Sequence, residues 1–223
     1  MQTFKTPAPV TVVLDIPAGR IRFTAADRGD TTVEVRAADP ARNRDVKTAE
    51  QTEVTCADGV LRIETRSETN ALLGASGSLD VTVELPAGSR VGAKAASAEL
   101  SSAGRLGDVT FEGAQGTVRL DETADARLSL QAGDITVGLL NGSAEISTQK
   151  GDLNVTEAVH GSLVLRTEHG HITVGTARGT SATLDAGTGY GRVDNSLTNT
   201  DGAAAGLSIR ATTSYGDITA RSL

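Results

Sequence analysis

A short motif recurs through the second half of this 223-residue chain, and the apolar positions change parity across it. It reads GDVTF at 107–111, GDITV at 133–137, GDLNV at 151–155, GHITV at 170–174, GRVDN at 191–195 and GDITA at 216–220. A second strand-like run precedes each later copy: ARLSLQA, SAEISTQ, SLVLRTE, SATLDAG and LSIRATT. Before the glycine the apolar residues are Leu128 and Leu130, then Ala144 and Ile146; after it they are Ile135 and Val137, then Leu153 and Val155. Even becomes odd at the same place in every copy, or odd becomes even, as in Leu163/Leu165 against Ile172/Val174. A continuous strand cannot exchange its buried face, because its side chains alternate with a strict period of two. A chain that turns a corner at a glycine can. Small apolar residues follow the second strand, as at Leu139-Leu140, Ala158-Val159 and Ala177. Strand, corner, strand and a short third side make one coil of about 19 residues. The predicted fold is therefore all-β: a β-solenoid, or β-helix-like stack, over 91–223.

Energetics require the stack. Ordering about 19 residues costs on the order of 28 kcal/mol, and the four or five inward aliphatics of one coil cannot offset that alone. Neighbouring coils bury both faces and pair the interior backbone groups. Composition agrees, since only 2% of residues are aromatic and a narrow stacked interior needs few rings. An antiparallel sandwich is the competing architecture, and Asn141-Gly142 is the kind of pair its hairpins would use.

Residues 1–90 read as an irregular β-rich region that feeds and caps the solenoid. VVLDIPAGRIRF (12–23) resembles VTVELPAGSRVGA (81–93), with prolines 86 − 17 = 69 residues apart, and each Pro-Ala-Gly reads as a tight turn. Asp58-Gly59 between two strand-like runs predicts a hairpin. The stretch 41–50 is the best helix candidate, and 70–78 reads as a loop. The alternating strand closed by Leu/Ile-Pro-x-Gly, and the x-Gly-Asp-Ile-x-Val units every 20 residues or so, resemble the bacterial putative-adhesin β-strand-repeat domain family of unknown function, relatives of the head-GIN putative adhesins. The resemblance covers most of the chain. It implies a β-solenoid with no known catalytic residue and no agreed ligand.

Stacked coils align residues in columns about 4.8 Å apart. The residue before each corner glycine gives Ala132, Lys150, His169, Tyr190 and Tyr215; the residue after it gives Asp134, Asp152, His171, Arg192 and Asp217. Both columns belong on one outer corner. Tyr190 and Tyr215 are expected to stack, with His169 and Lys150 continuing the row, and an aromatic row beside carboxylates suits the faces and hydroxyls of sugar rings. The bland reading is that the tyrosines cap the last coils and that aspartate simply suits a Gly-Asp turn. A calcium column is interrupted by His171 and Arg192 and lacks the nonapeptide pattern of calcium-loaded rolls. His169 and His171, with His160 nearby, lack an evident third metal ligand. No metal or cofactor is expected. Cys56 reads as a small core residue.

A net charge of −7 disfavours nucleic acid and anionic membranes. A single cysteine excludes an internal disulfide framework. The absence of a signal-like or membrane-spanning run points to a cytoplasmic protein. The expected function is non-enzymatic: a scaffold or interaction module binding a protein partner, or itself as a homo-oligomer, through its flat faces or through a C-terminal edge left open around Leu207, Ile209 and Ile218. A carbohydrate-binding module at the Tyr190/Tyr215 corner and a solenoid-type polysaccharide-active enzyme are the alternatives.

Overall fold

A computed structural model describes residues 1–66 and 77–223. The chain forms β1 (Gln2–Lys5), β2 (Thr11–Ala26), β3 (Asp30–Ala37), α1 (Asn43–Glu50), β4 (Thr52–Ala57), β5 (Val60–Thr65), β6 (Leu79–Pro86), β7 (Arg90–Ala103) and β8 (Val109–Thr123). There follow β9 (Ala126–Ala132), β10 (Ile135–Leu140), β11 (Ala144–Lys150), β12 (Leu153–Ala158), β13 (Gly161–His169), β14 (Ile172–Thr176), β15 (Ala182–Tyr190), β16 (Val193–Ser196), β17 (Leu207–Tyr215) and β18 (Ile218–Ser222). The loop read at 70–78 falls, apart from Gly77 and Ser78, outside the described residues.

The strands stack in parallel layers as a β-solenoid, not as a sandwich. Strand β2 lies on β7, β7 on β8, β8 on β9 and β10, and these on β11 and β12, then β13 and β14. Each layer is a first arm, a corner and a second arm; the corner is a glycine except in β7, where Ala98 lies level with Gly19 and Gly116. The flip of parity works as the sequence requires: Leu128, Leu130, Ile135, Val137, Ile146, Leu153, Leu163 and Ile172 are all buried. A third buried position, Thr123, Leu140, Ala158 and Thr176, closes each layer. Across layers, bulky and small side chains compensate, as where Phe111 rests between Ala93 and Leu128.

Among the described residues, antiparallel pairing is confined to the other end of the molecule. There β5 and β6 lie on β2, β4 pairs with β5, and β3 joins β6 to β1. The Asp58-Gly59 hairpin is present, with φ of 50° and 74° at its two central residues. Helix α1 matches the 41–50 candidate.

Three readings of the sequence need correction. GDVTF at 107–111 is not a second-arm copy: Val109 is level with Ala126, at the start of a first arm, and the partner of Ile135 is Val118. Both corners of a layer can carry Gly-Asp, so the motif alone does not say which corner it marks. The two Pro-Ala-Gly stretches are not equivalent either. Gly19 is the corner of β2 and lies level with Ala98, whereas Gly88 makes the turn between β6 and β7.

The third correction concerns the end of the stack. Strands β17 and β18 pair with β13 and β14 on one side and with β15 and β16 on the other. Leu207, Ile209 and Ile218 are accordingly buried. The uncovered layer is 182–196, one step earlier in the chain. Its inward positions show this: Leu184 and Ala186 are only partly buried and Val193 is 45% exposed.

Candidate functional site

The predicted corner exists, and its order follows space rather than sequence. The residue before each corner glycine runs Ala132, Lys150, His169, Tyr215, Tyr190 up the stack. His169 and Tyr215 stack with centroids 4.8 Å apart at 8°, and Tyr215 and Tyr190 at 5.0 Å and 5°. These spacings are those of the layers themselves, so strand pairing sets the ladder. The rings lie nearly parallel to one another. Tyr215 has a ring on each side and is still 51% exposed, while Tyr190 is stacked on one side only and is 71% exposed. Lys150 lies level with His169 and extends the row with a cation.

The second column is committed to the backbone. The Asp134 carboxylate accepts the N–H of Asp152 at 2.8 Å, and Asp152 accepts the N–H of His171 at 2.7 Å. His171 continues the series by accepting the Asp217 N–H at Nδ1, 2.9 Å away, and Asp217 accepts from Arg192 at 2.8 Å. Histidine can replace aspartate here because a neutral imidazole protonated at Nε2 offers a lone pair at Nδ1. Asp134, Asp152, His171 and Asp217 thus satisfy corner amides, which the Gly-Asp turn reading anticipates. Among the described residues no cluster of three His, Cys, Asp or Glu groups could hold a metal ion.

A third column was missed. Thr148, Thr167, Thr213 and Thr188 each lie two residues before the ladder position, and each hydroxyl donates to a corner-glycine carbonyl: Gly133, Gly151, Gly170 and Gly216 respectively. The sequence carried the signal as Thr-x-Lys-Gly, Thr-x-His-Gly and Thr-x-Tyr-Gly. These threonines face inward, and their hydroxyls fix the corner from inside while the aspartates fix it from outside.

Elsewhere the outer face carries ion pairs between adjacent layers: Lys94 with Glu112 at 3.0 Å, Arg127 with Glu145 at 3.3 Å and Arg210 with Asp185 at 3.0 Å. They are exposed and contribute little each. Partial burial pushes the Cys56 thiol up, away from the reactive thiolate.

Among curated proteins none matches this chain. Solved structures do. A putative adhesin from Bacteroides fragilis is 12% identical over 98% of this chain and 95% of its own, with a TM-score of 0.59, which shows the shared fold. A putative adhesin from Parabacteroides distasonis (12% identity, 98% and 95% coverage) and a putative cell adhesion protein from Clostridium sporogenes (12%, 100% and 98%) reach TM-scores of 0.46 and 0.40. The sequence profile of Toastrack DUF4097 matches residues 11–222, and the chain belongs to that family.

Proposed function

We propose that the protein is a non-enzymatic, adhesin-like interaction module that takes an extended segment of a protein partner on its uncovered layer, β15–β16. One observation carries the reading: this layer is paired on one side only, while the free ring face of Tyr190 and the half-exposed Val193 lie on its open side. Unpaired strand edges are templates for strand addition. The partner segment that fits has small aliphatic side chains at alternate positions, over Leu184 and Ala186, and an aromatic ring placed to rest on Tyr190. The same geometry supports the non-enzymatic reading, because the corner carboxylates are engaged with backbone amides rather than free for acid–base work. The Bacteroides fragilis neighbour that shares the fold is named a putative adhesin, which is consistent with a role in attachment.

The free face of Tyr190 also favours a second reading, a sugar ring stacked at the corner. Tyr215 sits between His169 and Tyr190, so such a site centres on Tyr190 at the end of the ladder. Two variants separate the readings. Val193→Lys places a charge on the open layer without touching the ladder, and Tyr190→Ala removes the ring. Tagged protein is purified from the native cells and the complex is weighed by light scattering. Under strand addition, a stoichiometric partner is held by the wild type and lost with Val193→Lys. A partner retained by both variants, or a monomer without any partner, overturns strand addition. Glycan-array binding by the wild type and Val193→Lys, but not Tyr190→Ala, establishes the sugar reading instead.

A further inference from the structure

The chain builds its last two layers out of order. After β14 it passes over the neighbouring position and forms β15–β16 one layer further out. It then returns through 197–206 and fills the skipped layer with β17–β18. Both segments fit that layer. Ile209, Thr213 and Tyr215 lie level with Leu163, Thr167 and His169 on one side, and with Leu184, Thr188 and Tyr190 on the other. The returning segment is the more apolar of the two: Leu207, Ile209, Ala211, Ile218 and Ala220 stand where β15–β16 has Ala182, Leu184, Ala186, Val193 and Asn195. After Leu197, which is partly buried against the core, the connection consists of small and polar residues, largely exposed, with one 3-10 turn at Gly202–Ala204. Ten residues of extended chain reach at most about 33–36 Å.

We propose that residues 207–223 are an exchangeable closing segment, which leaves its layer in one copy and fills the same layer in a second copy to give a reciprocally swapped dimer. No new contact has to be invented, since every pairing of β17 and β18 is kept and becomes intermolecular; only the connection changes path, which is why such exchange is cheap. The aromatic ladder is then completed between chains, with the second copy's Tyr215 between His169 and Tyr190. While the segment is out, β15–β16 can settle on β13–β14 in the same columns and cover their apolar edge. This inference stands apart from what the open layer binds.

Ser162 and Ser208 are level neighbours on the exposed side of β13 and β17, within the reach of a disulfide. In a Cys56→Ser background, Ser162→Cys is placed in one chain and Ser208→Cys in another. The two full-length variants are refolded together from urea at high concentration and oxidised. A 162–208 disulfide between them exceeds the background of random collision only when the segment of one chain occupies the layer of the other. The expected result is a covalent heterodimer at least fivefold more abundant than the homodimers that either variant forms alone. Deleting Ala203–Ala205, which shortens the connection and penalises the closed monomer, should raise it further. Heterodimer no more abundant than that background, with the native connection, overturns the proposal. Circular dichroism of each variant confirms that the chains compared are folded.

Discussion

At the scale of single residues, the corner is held by three side-chain types with separate tasks. Glycine lets the layers approach, threonine bonds the glycine carbonyl from inside, and aspartate bonds the next amide from outside. Gly151 has φ of +146°, and a Cβ there would overlap the carbonyl oxygen of Gly133 in the layer below. Gly151→Ala must therefore either strain the backbone or push adjacent layers apart. It should cost at least about 3 kcal/mol in urea unfolding. Gly187→Ala, where a Cβ meets nothing within 4 Å, serves as the control and should change stability by less than about 0.5 kcal/mol. His171 tests the outer task. His171→Asp restores the acceptor used in the other layers and should preserve the unfolding midpoint. His171→Ala leaves the Asp217 amide without its partner and should lose about 0.5–1.5 kcal/mol. If the two substitutions behave alike, the acceptor is not what His171 contributes.

Secondary-structure elements show what was legible and what was not. The coil, its glycine corner and its buried face were readable because parity leaves one solution: residues on both sides of the corner must point inward. The Asp58-Gly59 hairpin was readable from its turn residues, and α1 from the polar run that follows Asp39-Pro40. The order of layers was not, for a physical reason. Coils 182–196 and 207–222 present the same side-chain columns, so each satisfies the layer beside β13–β14, and pattern alone cannot rank them. What ranks them is apolar content, Ile209 and Ile218 against Leu184 and Val193. The corner residues were placed correctly, but their roles were split by geometry: the ladder positions face solvent, while the aspartates serve the backbone. The cap was the least legible region because its strands are tied by side chains from separate segments. Arg28 bonds Asp30 and Glu84, and Thr32 donates to Glu84. The guanidinium holds both carboxyls below their usual range, with the Thr32 hydroxyl assisting at Glu84. A carboxyl lowered on folding stabilises the fold above the ordinary carboxylate range, and that contribution fades as the pH falls through the lowered value. Arg28→Met should therefore destabilise at pH 7 and cost less near pH 2–3. Solvent screening keeps the difference small, and urea midpoints at the two pH values measure it. An equal cost at both would mean that Arg28 acts by packing alone.

For the whole molecule, stacking makes stability nearly one-dimensional, because each layer touches only the layers above and below. A protein of this kind should survive loss of a layer, provided that the layers left behind match. Removing Leu207–Leu223 tests this directly. The vacated position is bounded by β13–β14 and β15–β16, whose columns correspond residue for residue through the missing coil: Leu163 with Leu184, Thr167 with Thr188, His169 with Tyr190. The segment 177–181, which must now span two layers, would have to span only one, so closure relieves the connection. The shortened chain is expected to fold with β15–β16 seated on β13–β14 and with its strand circular dichroism retained. Its urea m-value should fall by about a tenth, in proportion to the surface no longer buried. Its midpoint should fall as well, since Leu184, Ala186 and Val193 replace a richer apolar set against β13–β14. A chain that instead loses its cooperative transition or binds hydrophobic dyes would show that the outer layer cannot move inward, and that β17–β18 are required for closure rather than interchangeable with β15–β16.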